Sequence, residues 1–288
     1  MQSGFVQTNN IKLHVVTDGP ENGTPVILLH GFPEFHYGWR KQIPALAEAG
    51  FRVIAPDQRG YNLSEKPRGV SAYKVDALTQ DVLGLLDHFG IQKVRLAGHD
   101  WGAVIAWNLA LKHPERLEKL VILNVPHPDV MKRFLLKNPE QRRRSWYVFF
   151  FQIPFFVEWV LKRDNYHNMA RVLVGSGRKS TFSRNDLEAY RKAWSQPGAL
   201  TAMLNWYRSV VRESMKDIFR KSARNGRKVN VPTLMLWGVN DVALSHEMAQ
   251  PSIDLCADGK LLLFEKATHW VQHDEADEVN KNMIEFLR

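Results

Sequence analysis

The sequence is poor in cysteine, since Cys256 is the only one among 288 residues. A single thiol excludes an intrachain disulfide, a CxxC redox pair and a zinc site built from thiolates. Long apolar runs are also missing, because no stretch approaches the roughly 18 uninterrupted apolar residues that a membrane-spanning helix needs. The N-terminal sequence MQSGFVQTNN lacks the basic and apolar regions of a cleaved secretion signal. We therefore expect a cytoplasmic protein without a membrane span.

Acidic residues are outnumbered, with 30 Asp and Glu against 39 Lys and Arg and a formal net charge of +9. Such an excess can indicate nucleic-acid binding. The densest basic segment lies between Lys132 and Arg144. Zinc-finger spacing, an RRM-type aromatic signature and a P-loop are all absent from the sequence. We therefore interpret the basic segment as a solvated helix face and expect no nucleic-acid partner.

Hydrophobic residues make up 44% of the chain and charged residues 24%, close to the average for soluble globular proteins. This composition supplies a full core and excludes a disordered chain. Short apolar runs alternate with amphipathic ones in the first half of the sequence. Strands are predicted over residues 11–17, 25–30, 52–56, 94–98, 120–124, 232–237 and 260–264. Helices are predicted over 39–49, 75–89, 103–113 and 274–287. This alternation predicts an α/β fold with a mostly parallel sheet covered on both faces.

Strand signals are missing between Asp129 and Arg224, where helical patterns follow one another. Ser183 and Asp186 have the spacing of a capping box, and Pro197 suits the start of a helix that carries residues 203–210. The sequence therefore predicts a core domain made of residues 1–128 and 225–288. A helical cap, residues 129–224, interrupts that core.

The cap contains the apolar run WYVFFFQIPFFVEWVL at residues 146–161. Its density of apolar residues is typical of a buried helix, and burial is the interpretation that we favour. The run is too short to span a bilayer, although contact with a membrane surface stays open. A third interpretation is a lid whose aromatic face lines an apolar substrate cavity, which requires a catalytic site beneath it.

The motif GHDWG at residues 98–102 lies between a predicted strand and a predicted helix. This context is typical of a nucleophile elbow, but Asp100 stands where an esterase has serine. A carboxylate that attacks an ester gives an anhydride, which is less stable than its reactant. Attack at a saturated carbon gives an ordinary ester that water can cleave. The motif therefore predicts a substrate with an electrophilic sp3 carbon, in an epoxide or a carbon–halogen bond.

The segment His30-Gly31-Phe32-Pro33 follows another predicted strand. It is compatible with a plain turn, and equally with the loop that supplies one N–H of an oxyanion hole. The residue after the nucleophile supplies the second N–H. Under this interpretation the backbone N–H groups of Phe32 and Trp101 stabilise the oxyanion that forms when an ester on Asp100 is hydrolysed.

The general base is predicted to be His269, which follows the last predicted strand. In this arrangement the nucleophile, the acid and the histidine occur in that order along the chain. His273 is the other late histidine, and we expect it to be exposed. The acid is predicted to be Asp241, in the sequence WGVND after a strand. Asp129, which follows the preceding strand, is the alternative.

Five motifs together resemble one family: HGFPE at 30–34, DQRGY at 57–61, GHDWG at 98–102, GVND at 238–241 and THW at 268–270. Over nearly its full length the chain resembles the soluble epoxide hydrolases of bacterial type, which are α/β-hydrolases with a helical cap. One departure is Ala103, where many members have a second glycine. The resemblance implies a glycol monoester on Asp100, hydrolysed by water that His269 and Asp241 activate.

The resemblance also implies two cap tyrosines that hold the epoxide oxygen and donate a proton to it. Tyr147 precedes the FQIP segment and Tyr207 lies in NWYR, as the family pattern requires. The family usually has a cis peptide that here corresponds to Phe32–Pro33, and some relatives position water with a carboxylate at Glu34. Substrate contacts are expected from Phe32, Pro33, Trp101, Phe149, Trp206 and Trp270. The expected partners are a small apolar epoxide and water, with no cofactor or metal, in a monomer or homodimer.

Haloalkane dehalogenases are the nearest alternative, because they share the Asp nucleophile and the following Trp. They usually have a second halide donor, often Asn, where this chain has Phe32. Fluoroacetate dehalogenases commonly have arginine at the position of Trp101. A catalytically silent basic binding protein on the same scaffold is a further hypothesis. The joint presence of nucleophile, base, acid and tyrosines favours an enzyme.

Overall fold

The computed structural model describes residues 1–216 and 226–288, and a single mixed sheet forms the centre of this part of the chain. The strands are β1 (Gln2–Thr8), β2 (Ile11–Asp18), β3 (Thr24–Leu29), β4 (Phe51–Pro56), β5 (Val94–His99), β6 (Leu117–Leu123), β7 (Thr233–Gly238) and β8 (Gly259–Phe264). Their order across the sheet is β1-β2-β4-β3-β5-β6-β7-β8. β2 is antiparallel to β1 and β4, and all other neighbours are parallel. The predicted mostly parallel sheet is confirmed, and each predicted strand is found within three residues of its expected ends.

The helices in the described residues are α1 (Gln42–Glu48), α2 (Val75–His88), α3 (Trp101–Lys112), α4 (Pro128–Lys137), α5 (Pro139–Arg144), α6 (Trp146–Phe150), α7 (Phe156–Gly175), α8 (Arg184–Trp194), α9 (Ala199–Lys216), α10 (Ala249–Ile253), α11 (Val271–Asp274) and α12 (Ala276–Leu287). α1 and α12 pack on the face of the sheet that carries Val26 and Leu28. α2 and α3 pack on the opposite face, with Ile27 and Leu29. Because successive strand residues point to opposite faces, strands buried on both sides are continuously apolar.

The edge strand β1 was not predicted from the sequence. Its residues are exposed except Val6 and Thr8, so it lacks an alternating apolar pattern. It pairs with β2 along its full length, from Gln2 opposite Thr17 to Thr8 opposite Ile11. The two residues between them, Asn9 and Asn10, have positive φ angles of 42° and 57°. That conformation is typical of a two-residue hairpin turn, so the Asn-Asn pair was the available signal.

Helices α4 to α9 lie between β6 and β7, and the described part of the cap contains no strand. The predicted capping box at Ser183 and Asp186 is confirmed at the start of α8. Pro197 precedes α9 by two residues. α7 consists of two helical segments joined at residues 163–166, three of which have positive φ angles. The predicted boundary between residues 224 and 225 lies outside the described residues, so the domain division stays a prediction.

The apolar run at residues 146–161 is not a single buried helix, so that expectation was wrong. It forms α6, a turn and the start of α7, because Pro154 lacks an N–H and Phe155 has a φ of 64°. Phe151 and Val157 are buried, but six large apolar side chains are exposed: Trp146, Phe149, Ile153, Phe155, Phe156 and Trp159. Among the described residues, no helix combines the length and apolarity required to cross a membrane.

Candidate active site

Asp100 occupies the sharp turn between the end of β5 and the start of α3. Its φ of 49° and ψ of −122° lie far from the regions that L-residues favour, so the surrounding structure must hold the turn in place. Gly102 makes this possible, because a Cβ at that position would collide with the carbonyl group of Leu29. The turn presents the Asp100 carboxylate at the carboxyl ends of the parallel strands, with its side chain 17% exposed.

The loop after β3 places Phe32 against this carboxylate. The backbone N–H of Phe32 donates a hydrogen bond of 2.7 Å to Oδ1 of Asp100. Gly31 allows the approach, because a Cβ there would collide with the Asp100 side chain. The expected cis peptide between Phe32 and Pro33 is present. Trp101 is the first residue of α3, so its N–H has no acceptor inside the helix.

His269 stands between two carboxylates. Its Nε2 lies 3.7 Å from Oδ2 of Asp100, and its Nδ1 lies 2.6 Å from Oδ2 of Asp241. Asp129, the alternative acid, instead pairs with Arg227, whose Nη2 lies 2.9 Å from its Oδ1. The geometry therefore brings together Asp100, His269 and Asp241.

The Asp241 carboxylate is held on both oxygens. Oδ1 accepts hydrogen bonds from the N–H groups of Ala243 at 2.8 Å and Leu244 at 2.9 Å. Oδ2 accepts from the side-chain amide of Asn124 at 2.9 Å, besides its contact with His269. Burial alone would raise the pKa of Asp241, but the charge of His269 and these donors lower it below its ordinary value. The group is therefore a fixed anion at neutral pH.

The pKa of His269 responds to both neighbouring charges. Burial lowers it, but the carboxylates of Asp241 and Asp100 outweigh this effect and raise the pKa of His269 to about 10. In the free protein at neutral pH, His269 is consequently an imidazolium ion between two anions. Removal of either negative charge would lower its pKa again.

Tyr147 on α6 and Tyr207 on α9 face this group from the cap. Their ring centroids are 6.0 Å apart, and the Tyr207 ring lies 4.9 Å from Trp101 and 5.3 Å from Phe32. Burial, followed by the negative charge of Asp100, raises the pKa of both phenols above the ordinary value. Both tyrosines therefore keep their protons at neutral pH and are close enough to Asp100 to respond to its charge.

Of the predicted substrate contacts, Phe149 lies apart from the others, because its side chain is 69% exposed. Phe151, which the sequence analysis did not select, is buried with its ring 4.9 Å from Tyr207 and 5.5 Å from Phe32. Phe151 is four residues after Tyr147, so helical spacing from the tyrosine was the available signal.

The two remaining tryptophans among the predicted contacts are buried and hydrogen-bonded. The indole of Trp206 lies 5.6 Å from that of Trp101 and donates to the Arg59 carbonyl at 3.0 Å. Trp270 lies 5.1 Å from the His269 ring and donates to Ser176 Oγ at 3.0 Å. The carbonyl of Pro33, the last predicted contact, accepts from the Trp194 indole at 2.6 Å. These bonds fix the orientation of the groups around Asp100.

A second buried group surrounds the Glu34 carboxylate. Tyr190 donates to its Oε1 at 2.5 Å, and Nε2 of His273 lies 2.8 Å from the same oxygen. The expectation of an exposed His273 was therefore wrong, because α11 turns this side chain inward and leaves it 3% exposed. Burial opposes ionisation of Glu34, but His273 and His99 lower its pKa well below the ordinary value. The carboxylate is therefore already engaged by several donors.

Two cap side chains hold the loop of Asp241, and the sequence analysis missed their role. Gln141 is fully buried, donates to the carbonyl of Ala243 at 2.9 Å and accepts from the N–H of Ser245 at 3.0 Å. Arg144 donates to the carbonyl of Asp241 itself at 2.8 Å. The solvated face predicted for the basic segment is therefore wrong for Arg144, which is half-buried against the core.

Among the described residues, His14, His36 and Asp57 form a cluster that has the side-chain types of a metal site. Nδ1 of His14 lies 2.8 Å from one Asp57 oxygen, and Nδ1 of His36 lies 2.7 Å from the other. Hydrogen bonds thus account for the arrangement, and none of the three residues contacts Asp100, His269 or Asp241 through a hydrogen bond in the described structure.

Comparisons with known proteins agree with this architecture. Residues 24–276 match the family model described as alpha/beta hydrolase fold. The chain is 44% identical to AB hydrolase superfamily protein YfhM of Bacillus subtilis, over 99% of this chain and 97% of that protein. It is 39% identical to human epoxide hydrolase 4, over 98% of this chain and 77% of that protein. A crystal structure of Bacillus megaterium epoxide hydrolase in complex with an inhibitor superposes with a TM-score of 0.91, at 32% identity and 99% coverage of both chains.

Proposed function

The chain belongs to the epoxide hydrolases of the alpha/beta hydrolase fold family, and from this premise we propose that it converts an epoxide and water into a vicinal diol through a covalent ester on Asp100. The observation that carries the proposal is the position of Asp100: its Oδ2 lies 3.7 Å from His269, which contacts Asp241, and its charge acts on the two protonated tyrosines of the cap. A nucleophile, a base and acids for the leaving oxygen are the groups that this reaction needs.

The first step is the alkylation of Asp100. Oδ1 is occupied by the N–H of Phe32, so Oδ2 is the oxygen that attacks a ring carbon of the epoxide. The bond between that carbon and the ring oxygen breaks, and Tyr147 or Tyr207 transfers its proton to the oxygen. The product is a hydroxyalkyl ester and a tyrosinate. Two phenols that hold one oxygen also orient the ring for attack from behind.

The ester changes the charge around His269, and this change prepares the second step. In the free protein the Asp100 carboxylate helps to raise the pKa of His269 to about 10. An ester carries no charge, so alkylation removes this contribution and the pKa of His269 falls. The imidazolium then releases a proton that restores the tyrosine, and neutral His269 becomes available as a base.

In the second step His269 Nε2 takes a proton from water, and the water oxygen attacks Cγ of the ester. Oδ1 becomes the oxyanion, stabilised by the N–H of Phe32 that already contacts it and by that of Trp101. Collapse of this intermediate expels the diol oxygen, which takes up the proton of the new carboxylic acid. Asp100 is again a carboxylate and His269 an imidazolium, as at the start. Asp241 stabilises the imidazolium in the free protein and again when His269 takes the proton from water.

Product analysis with two substrates tests the proposed reaction. Purified protein is incubated separately with styrene oxide and with 1-bromobutane, and phenylethanediol and bromide are measured. The proposal expects diol from styrene oxide. Release of bromide without diol formation would instead assign the chain to the haloalkane dehalogenases. If neither diol nor bromide is formed, the result would favour a silent binding protein and contradict the proposal.

A further inference from the structure

The outer surface of the cap carries a group of exposed aromatic side chains that the active site does not use. The exposed fraction is 64% for Trp146, 69% for Phe149, 85% for Phe155 and 58% for Trp159. Phe156, half exposed, stacks on Trp159 with ring centroids 6.1 Å apart. We call these five residues the aromatic face. Exposed apolar surface of this extent generally marks an interaction site.

The aromatic face is continuous across the turn between α6 and α7. Phe150 bridges it, since its ring lies 5.8 Å from Trp146 and 6.4 Å from Phe156. α6 has two sides, because Tyr147 and Phe151 point inward to the site while Trp146 and Phe149 point outward. Polar residues at the outward positions would leave the inward contacts intact. The outward aromatics therefore require an explanation other than the construction of the site.

Basic side chains border the aromatic face at both ends. Arg142 and Arg143 are exposed near the end of α5, four and three residues before Trp146 in the sequence. The guanidinium of Arg163 lies 5.6 Å from the centroid of the Trp159 ring and also pairs with Asp164 at 3.5 Å.

The local charge balance is strongly positive. The segment from Lys132 to Arg163 carries eight Lys or Arg residues and two Glu residues. Both of these acids are engaged in ion pairs, Glu140 with Arg144 and Glu158 with Arg208.

We propose that the aromatic face binds the surface of an anionic lipid bilayer. Trp and Phe side chains favour the boundary between headgroups and acyl chains, and Arg and Lys beside them pair with lipid phosphates. This combination of apolar centre and cationic border is the chemistry that an anionic membrane surface complements. Contact between the faces of two copies of this chain would instead bring two positive borders together, which opposes association. The binding is peripheral and does not depend on the proposed reaction.

Sedimentation with lipid vesicles tests this inference on the full chain. Vesicles of equal parts phosphatidylcholine and phosphatidylglycerol are expected to bind the protein, and vesicles of phosphatidylcholine alone to bind it at least about tenfold more weakly. Added salt should weaken the binding to the anionic vesicles, because it screens the Arg and Lys contacts. Equal binding to both compositions, or none to either, would overturn the proposal.

Two pairs of variants separate the aromatic face from the rest of the surface. Phe155→Ser with Trp159→Ser should reduce vesicle binding about tenfold or more, whereas Phe5→Ser with Leu263→Ser removes exposed apolar side chains elsewhere and should leave it unchanged. Arg142→Glu with Arg143→Glu should weaken binding, in contrast to the control Lys93→Glu with Lys260→Glu.

Circular dichroism and thermal unfolding check that every variant remains folded. Analytical ultracentrifugation without vesicles tests whether a second copy of this chain covers the aromatic face instead. A dimer that dissociates in the Phe155→Ser and Trp159→Ser variant would assign the face to a second copy and contradict the lipid proposal. Equal loss of vesicle binding in the aromatic variant and its control would contradict it as well.

Discussion

Two regions contribute to the same site in different ways: the core loops at the carboxyl ends of the strands, and the helical cap. In the loops after β3, β5 and β7, backbone N–H groups hold the carboxylates: Phe32 donates to Asp100, and the residues after Asp241 donate to Asp241. The cap contributes Tyr147 from a helix of five residues whose other side is exposed aromatic surface. The core thus supplies the groups that carry charge, although Gln141 and Arg144 of the cap also support the Asp241 loop. The cap adds the tyrosines, whose positions depend on docking over the core. Variants of the two regions are consequently expected to affect different steps.

The largest expected effect follows from the replacement His269→Gln. We expect turnover to fall by about 10³-fold or more, since the ester can form but cannot be hydrolysed. Mass spectrometry should find one equivalent of substrate bound to the peptide that contains Asp100. Absence of the adduct, or its location on another residue, would refute the division between an alkylating and a hydrolysing step.

The second prediction concerns the acid that partners His269, and it compares replacements of Asp241 and of the alternative acid Asp129. Asp241→Asn is expected to lower turnover by about 10²- to 10⁴-fold, because His269 loses the anion that fixes its tautomer and stabilises its charge. Asp129→Asn is the matched control and should change turnover little, since Asp129 pairs with Arg227. Steady-state kinetics with styrene oxide measures both, and the reverse ranking would show that the assignment of the acid is wrong.

The cap tyrosines should affect alkylation alone. Tyr147→Phe and Tyr207→Phe are each expected to slow alkylation of Asp100 by about 10- to 1,000-fold, because one phenol remains to donate the proton. The double variant should be nearly inert towards epoxides. Single-turnover measurements give the rates, and circular dichroism serves as the folding control. An undiminished alkylation rate in the double variant would exclude the tyrosines as acids.

The charge of His269 predicts a pH-dependent stability of the core. Its folded pKa is raised to about 10 from an ordinary 6.5, so its stabilising contribution is complete below about pH 6.5 and is lost as the pH rises towards 10. As the pH rises, the difference in free energy of unfolding between the wild type and His269→Gln should therefore shrink, by at most about 1.4 kcal/mol per pH unit. Urea titrations at pH 6, 7, 8 and 9 measure it. A constant difference would contradict an imidazolium between two anions.

The same contrast explains what the sequence could predict. The central strands β3, β5, β6 and β7 were predicted because burial on both faces makes them continuously apolar. The ends of β5 and β7 then indicated Asp100 and Asp241. In α6 nearly every residue is aromatic or apolar, so no periodicity distinguishes inward from outward positions. Each residue rotates a helical side chain by about 100°, so the step of two residues from Phe149 to Phe151 places them on nearly opposite sides, and Phe149 was selected where Phe151 is buried. The inward turn of His273 depends on Glu34, about 240 residues away in sequence, and no local pattern reports such a contact.

The central claim is that the oxygen added to the substrate comes from Asp100 in the first turnover. An excess of enzyme is mixed with styrene oxide in water enriched in oxygen-18, and the diol and the peptide that contains Asp100 are analysed by mass spectrometry. A covalent ester predicts oxygen-18 in the Asp100 carboxylate and an unlabelled diol, since water attacks Cγ of the ester. Oxygen-18 in the diol with an unlabelled Asp100 would mean that water attacks the epoxide directly, and would contradict the mechanism.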